Sequence, residues 1–358
     1  MKKSVLAIVA GFLSCAAAWS ATPAPEAGWK FAVISDLHIG TQADPAQSVG
    51  SFLNSAVRRL IAERPDFVVI TGDFTRGNPD ENIPVEKART WWLNIQSALK
   101  PFQDAGIPVV PLPGNHDYYT PAHRQAYGEA WKYFETALSS FSIQGSPPLY
   151  YSFTHKNVHI VPLTVVDQYI SPEEEAWLKK DLKEADGAGL RFVFGHVPMD
   201  SALLGKPSAR FRKQMSAILA AGHVAAFVSG HEHLNWDQSK RFDGWPVRQI
   251  IVGSAMDAPY NYPIRRALYT EYCRSCDGEC MMPYNKKHFA TDPRTHLQKI
   301  SQTFYIFEIK PELKDGYSAT PYTLDGTGQL APFYAPAAGG QLAPCPAARK
   351  LKKTSGAR

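Results

Sequence analysis

Cysteine and long apolar runs are both scarce in this sequence of 358 residues. Only five cysteines are present, and beyond the first 21 residues no stretch approaches the ~20 consecutive apolar residues that a membrane-spanning helix needs. A strong net charge is lacking too, because 38 basic residues stand against 33 acidic ones. With 44% apolar residues, the composition excludes disordered, collagen-like and coiled-coil chains and predicts one large or two smaller globular domains.

The small positive excess of +5 lies at the two ends of the chain. Lys2 and Lys3 come near the start, and residues 346–358 carry five basic side chains and no acidic one. Without those seven positive charges, the rest of the sequence has a net charge of −2. A basic surface for binding nucleic acid is therefore not indicated.

The first residues have the pattern of a signal peptide. Two lysines precede the apolar run of residues 5–18, and small residues follow it. We expect residues 1–21 to be removed during export to the periplasm or the medium, which leaves a linker at 22–29 and no transmembrane segment. A retained membrane anchor is one alternative. A lipid-modified Cys15 is another, disfavoured because Phe12 stands where lipoprotein signals carry an aliphatic residue.

Export also changes the interpretation of the cysteines. Four remain after the signal peptide, namely Cys273, Cys276, Cys280 and Cys345. In an oxidising compartment they predict two disulfides, with three possible connectivities. A zinc or iron–sulfur site at the first three is the alternative, which export and the 65-residue gap before Cys345 disfavour.

Apolar runs typical of strands alternate with amphipathic runs typical of helices between residues 30 and 310. Strands are predicted at 30–35, 67–70, 109–112, 150–153, 158–163, 191–194, 225–228, 249–252 and 303–309, and helices at 53–61, at 84–104 and from Ser171 onward. Ser171, Pro172 and Glu174 form a capping box at the last helix start. This alternation predicts an α/β fold built in layers.

The pattern breaks at residues 255–300 and ends near residue 310. The first of these segments contains three of the cysteines, and we interpret it as a disulfide-stapled insertion that could cover a site at the strand ends. Residues 311–358 are rich in Pro, Gly and Ala and are predicted to be a tail. The main domain is therefore expected to span 30–310.

Residues that bind metals follow five of the predicted strands. The blocks are Asp36 with His38, then Asp73, then Asn115, His116 and Asp117, then His196, and finally His231 with His233. The carboxyl ends of strands in such folds meet at one edge, where ligands bind. Imidazole and carboxylate without thiolate suit Mn, Fe or Zn, and two such ions ~3.5–4 Å apart can drive phosphoryl transfer.

These five blocks, in this order, resemble the calcineurin-like metallophosphoesterase superfamily over residues 30–255. The resemblance implies a four-layer αββα sandwich of two mixed β-sheets flanked by helices. It also implies hydrolysis of a phosphomonoester or phosphodiester through in-line attack by a metal-bridging hydroxide. A non-catalytic module of the same fold, which binds metal or a phosphorylated ligand, is the alternative.

The resemblance also implies a role for each matching position. Asp36, His38 and His233 would bind the first of two divalent ions, Asp73 would bridge both, and Asn115, His196 and His231 would bind the second. Asn115 and His116 would stabilise the charge on the phosphate, and His116 would protonate the leaving oxygen. Asp117 is a weaker catalytic candidate.

Two differences from known subfamilies of this superfamily narrow the choice of subfamily. Arg76 stands where purple acid phosphatases carry a metal-binding tyrosine, and the second acid of the protein serine/threonine phosphatase motif is missing. We therefore expect an exported phosphodiesterase or phosphomonoesterase acting on a small phosphoester. The candidates for substrate contact are Arg76, Tyr118 from the pair with Tyr119, and, in the insertion, Arg265, Arg266 and Arg274.

Overall fold

The computed structural model describes residues 28–40, 51–79, 82–200, 209–233, 235–256, 262–263, 297–298, 302–324 and 327–332. The helices in these ranges are α1 (Ser51–Glu63), α2 (Val85–Asp104), α3 (Pro121–Leu138), α4 (Pro172–Glu184) and α5 (Ala209–Ala221). The strands are β1 (Trp29–Ile34), β2 (Val68–Ile70), β3 (Val109–Pro111), β4 (Gln144–Ser146), β5 (Tyr150–His155), β6 (Val158–Pro162), β7 (Leu190–Phe194), β8 (Ala226–Ser229), β9 (Trp236–Phe242), β10 (Trp245–Ile251), β11 (Tyr262–Pro263), β12 (Leu297–Gln298), β13 (Phe304–Ile309), β14 (Tyr317–Leu324) and β15 (Leu330–Pro332).

The strands form two large mixed sheets. The first has six strands in the order β15-β14-β13-β1-β2-β3, with β1, β2 and β3 parallel and the others antiparallel. The second has seven strands in the order β4-β5-β6-β7-β8-β10-β9, with a parallel centre from β6 to β10. β11 and β12 pair separately.

The two sheets pack against each other through aromatic side chains. Phe31 of β1 lies 5.6 Å, between ring centroids, from Phe192 of β7, which in turn lies 5.6 Å from Phe307 of β13. Phe192 joins the core between the sheets, whereas Val193 packs with the apolar residues of α4 and α5. Alternate residues of β7 therefore point to opposite faces, as the two-residue period of a strand requires.

The helices cover the outer faces of this sandwich. α1, α2 and α3 share the core of the first sheet through residues such as Leu60, Trp92 and Phe134. Leu178 of α4 and Leu219 of α5 belong to the cluster on the outer face of the second sheet. The predicted four-layer αββα sandwich of two mixed sheets is confirmed.

The start of α4 matches the capping pattern in the sequence. The Ser171 hydroxyl accepts a hydrogen bond from the Glu174 backbone N at 3.1 Å, and Pro172 occupies the first turn. The Glu174 carboxylate also accepts a bond from the Thr164 backbone N at 2.7 Å, and the side chain is buried. This second partner lies in the segment after β6, so the cap also ties α4 to the end of that strand.

The sheet extends further along the chain than the sequence indicates. β14 and β15 pair beside β13, so Tyr317–Leu324 and Leu330–Pro332 belong to the first sheet and not to a tail that begins at residue 311. Tyr317 and Ala319 are buried with partly exposed residues between them, which is the alternation of a half-buried strand. The prolines and glycines of this segment concealed that alternation.

The remaining predictions for the chain ends and the insertion fall largely outside the described residues. These include the signal peptide, the linker, nearly all of 257–300, and the candidates Cys15, Cys273, Cys276, Cys280, Cys345, Arg265, Arg266 and Arg274. Within the part of the chain that the structure describes, none of the helices has both the length and the apolar character required to cross a bilayer.

Candidate metal centre

The metal-binding residue types follow the carboxyl ends of five strands. Asp36 and His38 come after β1, Asp73 after β2, Asn115 after β3, His196 after β7, and His231 and His233 after β8. Parallel pairing within each sheet brings these ends to the same edge, where layered α/β folds bind ligands. The two sheets therefore meet in one buried polar centre.

The backbone at this edge is unusual. Asp36, His38, Asp73, His231 and His233 all have positive φ, between 46° and 72°. The left-handed region costs energy for residues other than glycine, and such residues cluster at functional sites. Five metal-binding residues at this edge have left-handed backbone conformations. The fold therefore holds them in place although this conformation is energetically unfavourable.

Close approach of two loops explains the glycine before Asn115. A Cβ added to Gly114 would overlap the Asp73 carboxylate and the Asp73 backbone N. Only glycine lets the loop after β3 lie this close to the loop after β2. The same contact allows the His116 backbone N to donate to Asp73 Oδ1 at 2.9 Å.

The first group of donors consists of Asp36, His38, Asp73 and His233. Each offers one nitrogen or oxygen, these atoms all lie within 4.8 Å of one another, and the four residues are buried. His38 Nε2 is 3.0 Å from His233 Nε2, and His233 Nε2 is 3.1 Å from Asp36 Oδ1. Lone pairs this close repel one another unless a proton or a cation lies among them.

The second group consists of Asp73, His196 and His231, with Asn115 beside it. His196 Nε2 lies 3.1 Å from Asp73 Oδ2, and His231 Nδ1 lies 2.9 Å from Asn115 Oδ1 and 3.3 Å from His196 Nε2. Asp73 belongs to both groups, so its carboxylate stands between them.

Hydrogen bonds to backbone carbonyls determine which ring nitrogens face the centre. His196 Nδ1 is 2.7 Å from the Thr71 carbonyl, and His116 Nδ1 is 2.9 Å from the Arg76 carbonyl. A carbonyl only accepts, so both Nδ1 atoms carry the hydrogen. The Nε2 of His196 therefore faces Asp73. A hydrogen bond from the other ring nitrogen to a carbonyl is also the arrangement that orients metal-ligating histidines.

The histidines hold the two carboxyl groups in their charged form. Burial alone would raise the pKa of Asp73, but His196 and His116 beside it lower that pKa below its usual range. His233 does the same for the pKa of Asp36, again against burial. Ionised carboxylates are the form that binds a metal.

The pKa values of the rings differ with their neighbours. Burial lowers the pKa of His38 to about 4, and burial together with His196 lowers that of His231 to about 4. Burial also opposes the charged form of His196, but Asp73 raises the pKa of that ring to about 9. The centre therefore keeps two rings neutral and favours a positive charge beside Asp73.

This donor set fits two divalent cations. It combines ionised carboxylates, imidazole rings and an amide oxygen, and the two groups share Asp73. Oxygen and imidazole donors suit Mn, Fe or Zn alike, so the set does not select one of them.

The predicted catalytic residues differ in their surroundings. The His116 side chain is 25% exposed, and its Nε2 is 3.9 Å from Asp73 Oδ2, so it faces the open side of the centre. Asp117 is buried, and its carboxylate accepts bonds from the backbone N of Gly114, Phe74 and Thr75 at 2.8–3.1 Å. Those bonds tie the two loops together and give Asp117 the geometry of a positioning residue. Its catalytic role stays a prediction.

The structure separates the two adjacent tyrosines. Tyr118 packs against the core, with the Arg124 guanidinium 5.5 Å from its ring centre. Tyr119 instead contacts the site, because its hydroxyl accepts a hydrogen bond from the Asn115 amide and its ring lies 5.1 Å from that of His116. The sequence pointed to Tyr118 for substrate contact, and nothing in the local pattern distinguishes it from its neighbour. Arg76 lies at the site through its backbone carbonyl.

Two solved structures resemble this chain in their overall fold. A purple acid phosphatase of yellow lupin, Lupinus luteus, is 13% identical with a TM-score of 0.52, and the match covers 87% of this chain and 54% of the lupin chain. The Plasmodium protein GAP50, described as the anchor in the inner membrane complex, is 17% identical with a TM-score of 0.50, and the match covers 84% of this chain and 86% of that one. At these identities the similarity establishes the fold.

A third similar structure is a dimetal phosphatase of Danio rerio, which is 14% identical with a TM-score of 0.47, and the match covers 65% of this chain and 90% of that chain. No curated protein matches the sequence. The family model for calcineurin-like phosphoesterases matches residues 30–235, which is more than half of the chain and includes every predicted metal ligand. The chain therefore belongs to the calcineurin-like phosphoesterase family.

Proposed function

We propose that this protein is an exported, binuclear metal-dependent phosphoesterase that hydrolyses a small phosphomonoester or phosphodiester. The observation that carries the proposal is the position of Asp73. Its carboxylate belongs to both buried donor groups, so one residue can bridge two cations. Family membership supports the same reaction class.

Each donor group would hold one ion. Asp36, His38 and His233 would bind the first ion, Asn115, His196 and His231 would bind the second, and Asp73 would bridge them. When bound, two divalent cations supply Lewis acidity that activates water and neutralises the charge of a phosphoryl group.

His116 is placed to act on the leaving oxygen of the substrate. Its Nδ1–H is held by the Arg76 carbonyl, which leaves Nε2 to carry the proton that is transferred. Its side chain is 25% exposed, whereas that of His233 is 4% and that of His196 is 0%. A substrate can therefore reach His116 while the donors behind it stay shielded from water.

The cellular location belongs to the proposal as well. Residues 1–21 act as a cleaved signal for export to the periplasm or the medium. Mass spectrometry of protein secreted by a bacterial host should find a chain that begins near residue 22. Full-length protein in the soluble cytosolic fraction would contradict export, and a lipid adduct on Cys15 would favour the anchored alternative.

The function is tested by reconstituting the mature protein with Mn²⁺, Fe²⁺ or Zn²⁺ and assaying a panel of monoesters, diesters, cyclic nucleotides and phospholipid headgroups. The panel decides between monoesterase and diesterase activity. We expect two bound ions per chain and turnover of at least one phosphoester class. Asp73→Asn should abolish turnover and lower the metal content, because the bridging position loses its charge.

A folded wild-type protein with two bound ions and no activity on any ester would contradict the enzymatic proposal. That outcome would favour the alternative, a non-catalytic module that binds metal or a phosphorylated ligand. GAP50, which has a similar fold, is described as an anchor, a role that such a binding module could have. All seven predicted ligand positions keep a donor side chain in this sequence, which favours the enzyme.

A further inference from the structure

The side chain of Asn115 has to point one particular way to serve the second donor group. Its Oδ1 lies 2.9 Å from His231 Nδ1, on the side of the donors. An amide has two ends of nearly equal shape, and only the oxygen has lone pairs for a cation. If the amide turned over, its NH₂ group would face the site and repel the ion. Some neighbouring group must therefore fix the orientation of the amide.

Tyr119 makes the contact that can do this. Its hydroxyl accepts a hydrogen bond from Asn115 Nδ2, at the end of the amide away from His231. The hydroxyl thereby satisfies the NH₂ end of the amide while Oδ1 stays on the side of the donors, so the observed orientation satisfies both ends at once.

The backbone around Tyr119 holds the ring in place. The Tyr118 backbone N donates to the Asn115 carbonyl at 3.1 Å, which closes the turn after the donor. Arg124 Nη1 donates to the Tyr118 carbonyl at 2.9 Å and to the Tyr119 carbonyl at 3.5 Å, and the Thr120 side chain caps α3 directly afterwards. The Tyr119 ring is 36% exposed, so it is not buried as a core residue would be.

We propose that Tyr119 is a positioning residue that orients the Asn115 amide, so that its oxygen faces the second cation. The inference rests on the proposed function, because it takes the group of Asp73, His196 and His231 to hold an ion. Partners that orient metal ligands in this way typically change metal affinity ~10- to 100-fold when they are removed. Tyr119 acts on the ion through Asn115 and needs no contact with substrate.

The test is the substitution Tyr119→Phe, which keeps the ring against His116 and removes only the hydroxyl. Metal-free protein is titrated with Mn²⁺ by equilibrium dialysis, and its Tm is measured before metal is added. We expect two binding steps in the wild type, with one of them loosened about tenfold in the variant. The other step and the Tm of the metal-free protein should not change. Tyr133→Phe, which removes a hydroxyl bonded to the Gln96 carbonyl, is the matched control and should bind Mn²⁺ as the wild type does.

Two results would overturn the inference in the variant itself. One is unchanged affinity at both steps. The other is weakening of both steps together with a lower Tm, which would indicate a merely structural role. A wild type that binds a single Mn²⁺ would also overturn it. A wild type that binds two ions but hydrolyses no ester refutes the proposed function instead, and the titration still decides the role of Tyr119.

A second background isolates the effect of amide orientation. The two carboxylate oxygens of Asn115→Asp are equivalent, so that side chain has no wrong orientation. Adding Tyr119→Phe to Asn115→Asp should therefore weaken Mn²⁺ binding clearly less than it does in the wild-type background. An undiminished tenfold loss in the double variant would show that Tyr119 does not act by orienting the amide, and would overturn the inference.

Discussion

At the scale of single residues, the centre depends on which atoms of each side chain are already engaged. The Thr71 and Arg76 carbonyls fix the Nδ1 hydrogens of His196 and His116, and this leaves the Nε2 atoms for chemistry. His196 turns that atom toward Asp73, whereas His116 presents it at the open side of the site. Two histidines with the same local hydrogen bond therefore have different expected roles because their exposure differs.

Replacement of His116 tests its role as the proton donor. We expect His116→Ala to lower kcat ~10²- to 10⁴-fold, the range typical of a lost general acid, while the bound metal stays at the wild-type level. The measurements are kcat on a nitrophenyl ester and metal content. His155→Ala is the control, because His155 is paired with Asp66 at the opposite end of β2 and should leave kcat unchanged. Wild-type kcat in His116→Ala would refute the acid role.

The need for glycine at the contact between the two loops is tested by making the same Gly→Ala substitution at two positions. Gly114→Ala forces a methyl group into the Asp73 carboxylate, so we expect loss of bound metal and of activity. Gly128→Ala makes the same change inside α3, where nothing lies within 4 Å of the new methyl group. There we expect a gain of ~0.5–1 kcal/mol in the free energy of unfolding and normal metal content. Normal metal content in Gly114→Ala would refute the close-contact explanation.

At the scale of elements, local sequence patterns predicted helices and strands that have an uninterrupted apolar period or a clear cap. The helix start at Ser171 is correct because its cap uses atoms three residues away. The bond from Thr164 to Glu174 was not predictable, since it joins a helix to the loop after β6. β14 was missed because Pro321 interrupts its pattern, although its pairing with β13 outweighs the weak strand propensity of that proline.

The buried carboxyl of Glu174 makes stability depend on pH. Burial raises its pKa to about 8 from an ordinary 4.5, so the folded state holds a proton that the unfolded chain releases above about pH 4.5. The free energy of unfolding therefore falls as pH rises from about 5 to 8, with a contribution on the order of 4 kcal/mol. Glu174→Gln cannot ionise and should flatten this part of the profile.

Urea unfolding at several pH values checks this expectation. The exposed neighbour provides the control, since Glu173→Gln should keep the pH dependence of the wild type. A Glu174→Gln profile that runs parallel to the wild type from pH 5 to 8 would show that Glu174 is ionised in the folded protein.

At the scale of the whole molecule, the first sheet depends on strands near the far end of the chain. β13 lies beside β1, which leads directly into the metal centre, and β14 and β15 continue the sheet outward. Tyr317 of β14 is buried, with its ring 4.9 Å from Phe192 of the second sheet and 6.1 Å from Phe307. The last strands therefore contribute to the core between the sheets.

Truncation measures that contribution. A chain that ends after residue 316 loses β14 and β15, exposes the edge of β13 and leaves Phe307 uncovered. We expect it to be insoluble or to unfold at a clearly lower Tm than a chain that ends after residue 332. Equal Tm values for the two truncations, measured by circular dichroism, would support the original interpretation of residues 311–332 as a tail.

The sequence by itself determined which residues could bind metal, their order, and the alternation of strands and helices that puts each of them after a strand. Only the tertiary structure decided how those residues combine. His38 and His233 are 195 positions apart, yet their Nε2 atoms lie 3.0 Å from each other because two sheets bring their strand ends to one edge. The sharing of Asp73 between the two donor groups arises in the same way. It depends on contacts between distant segments, which local propensity and spacing do not encode.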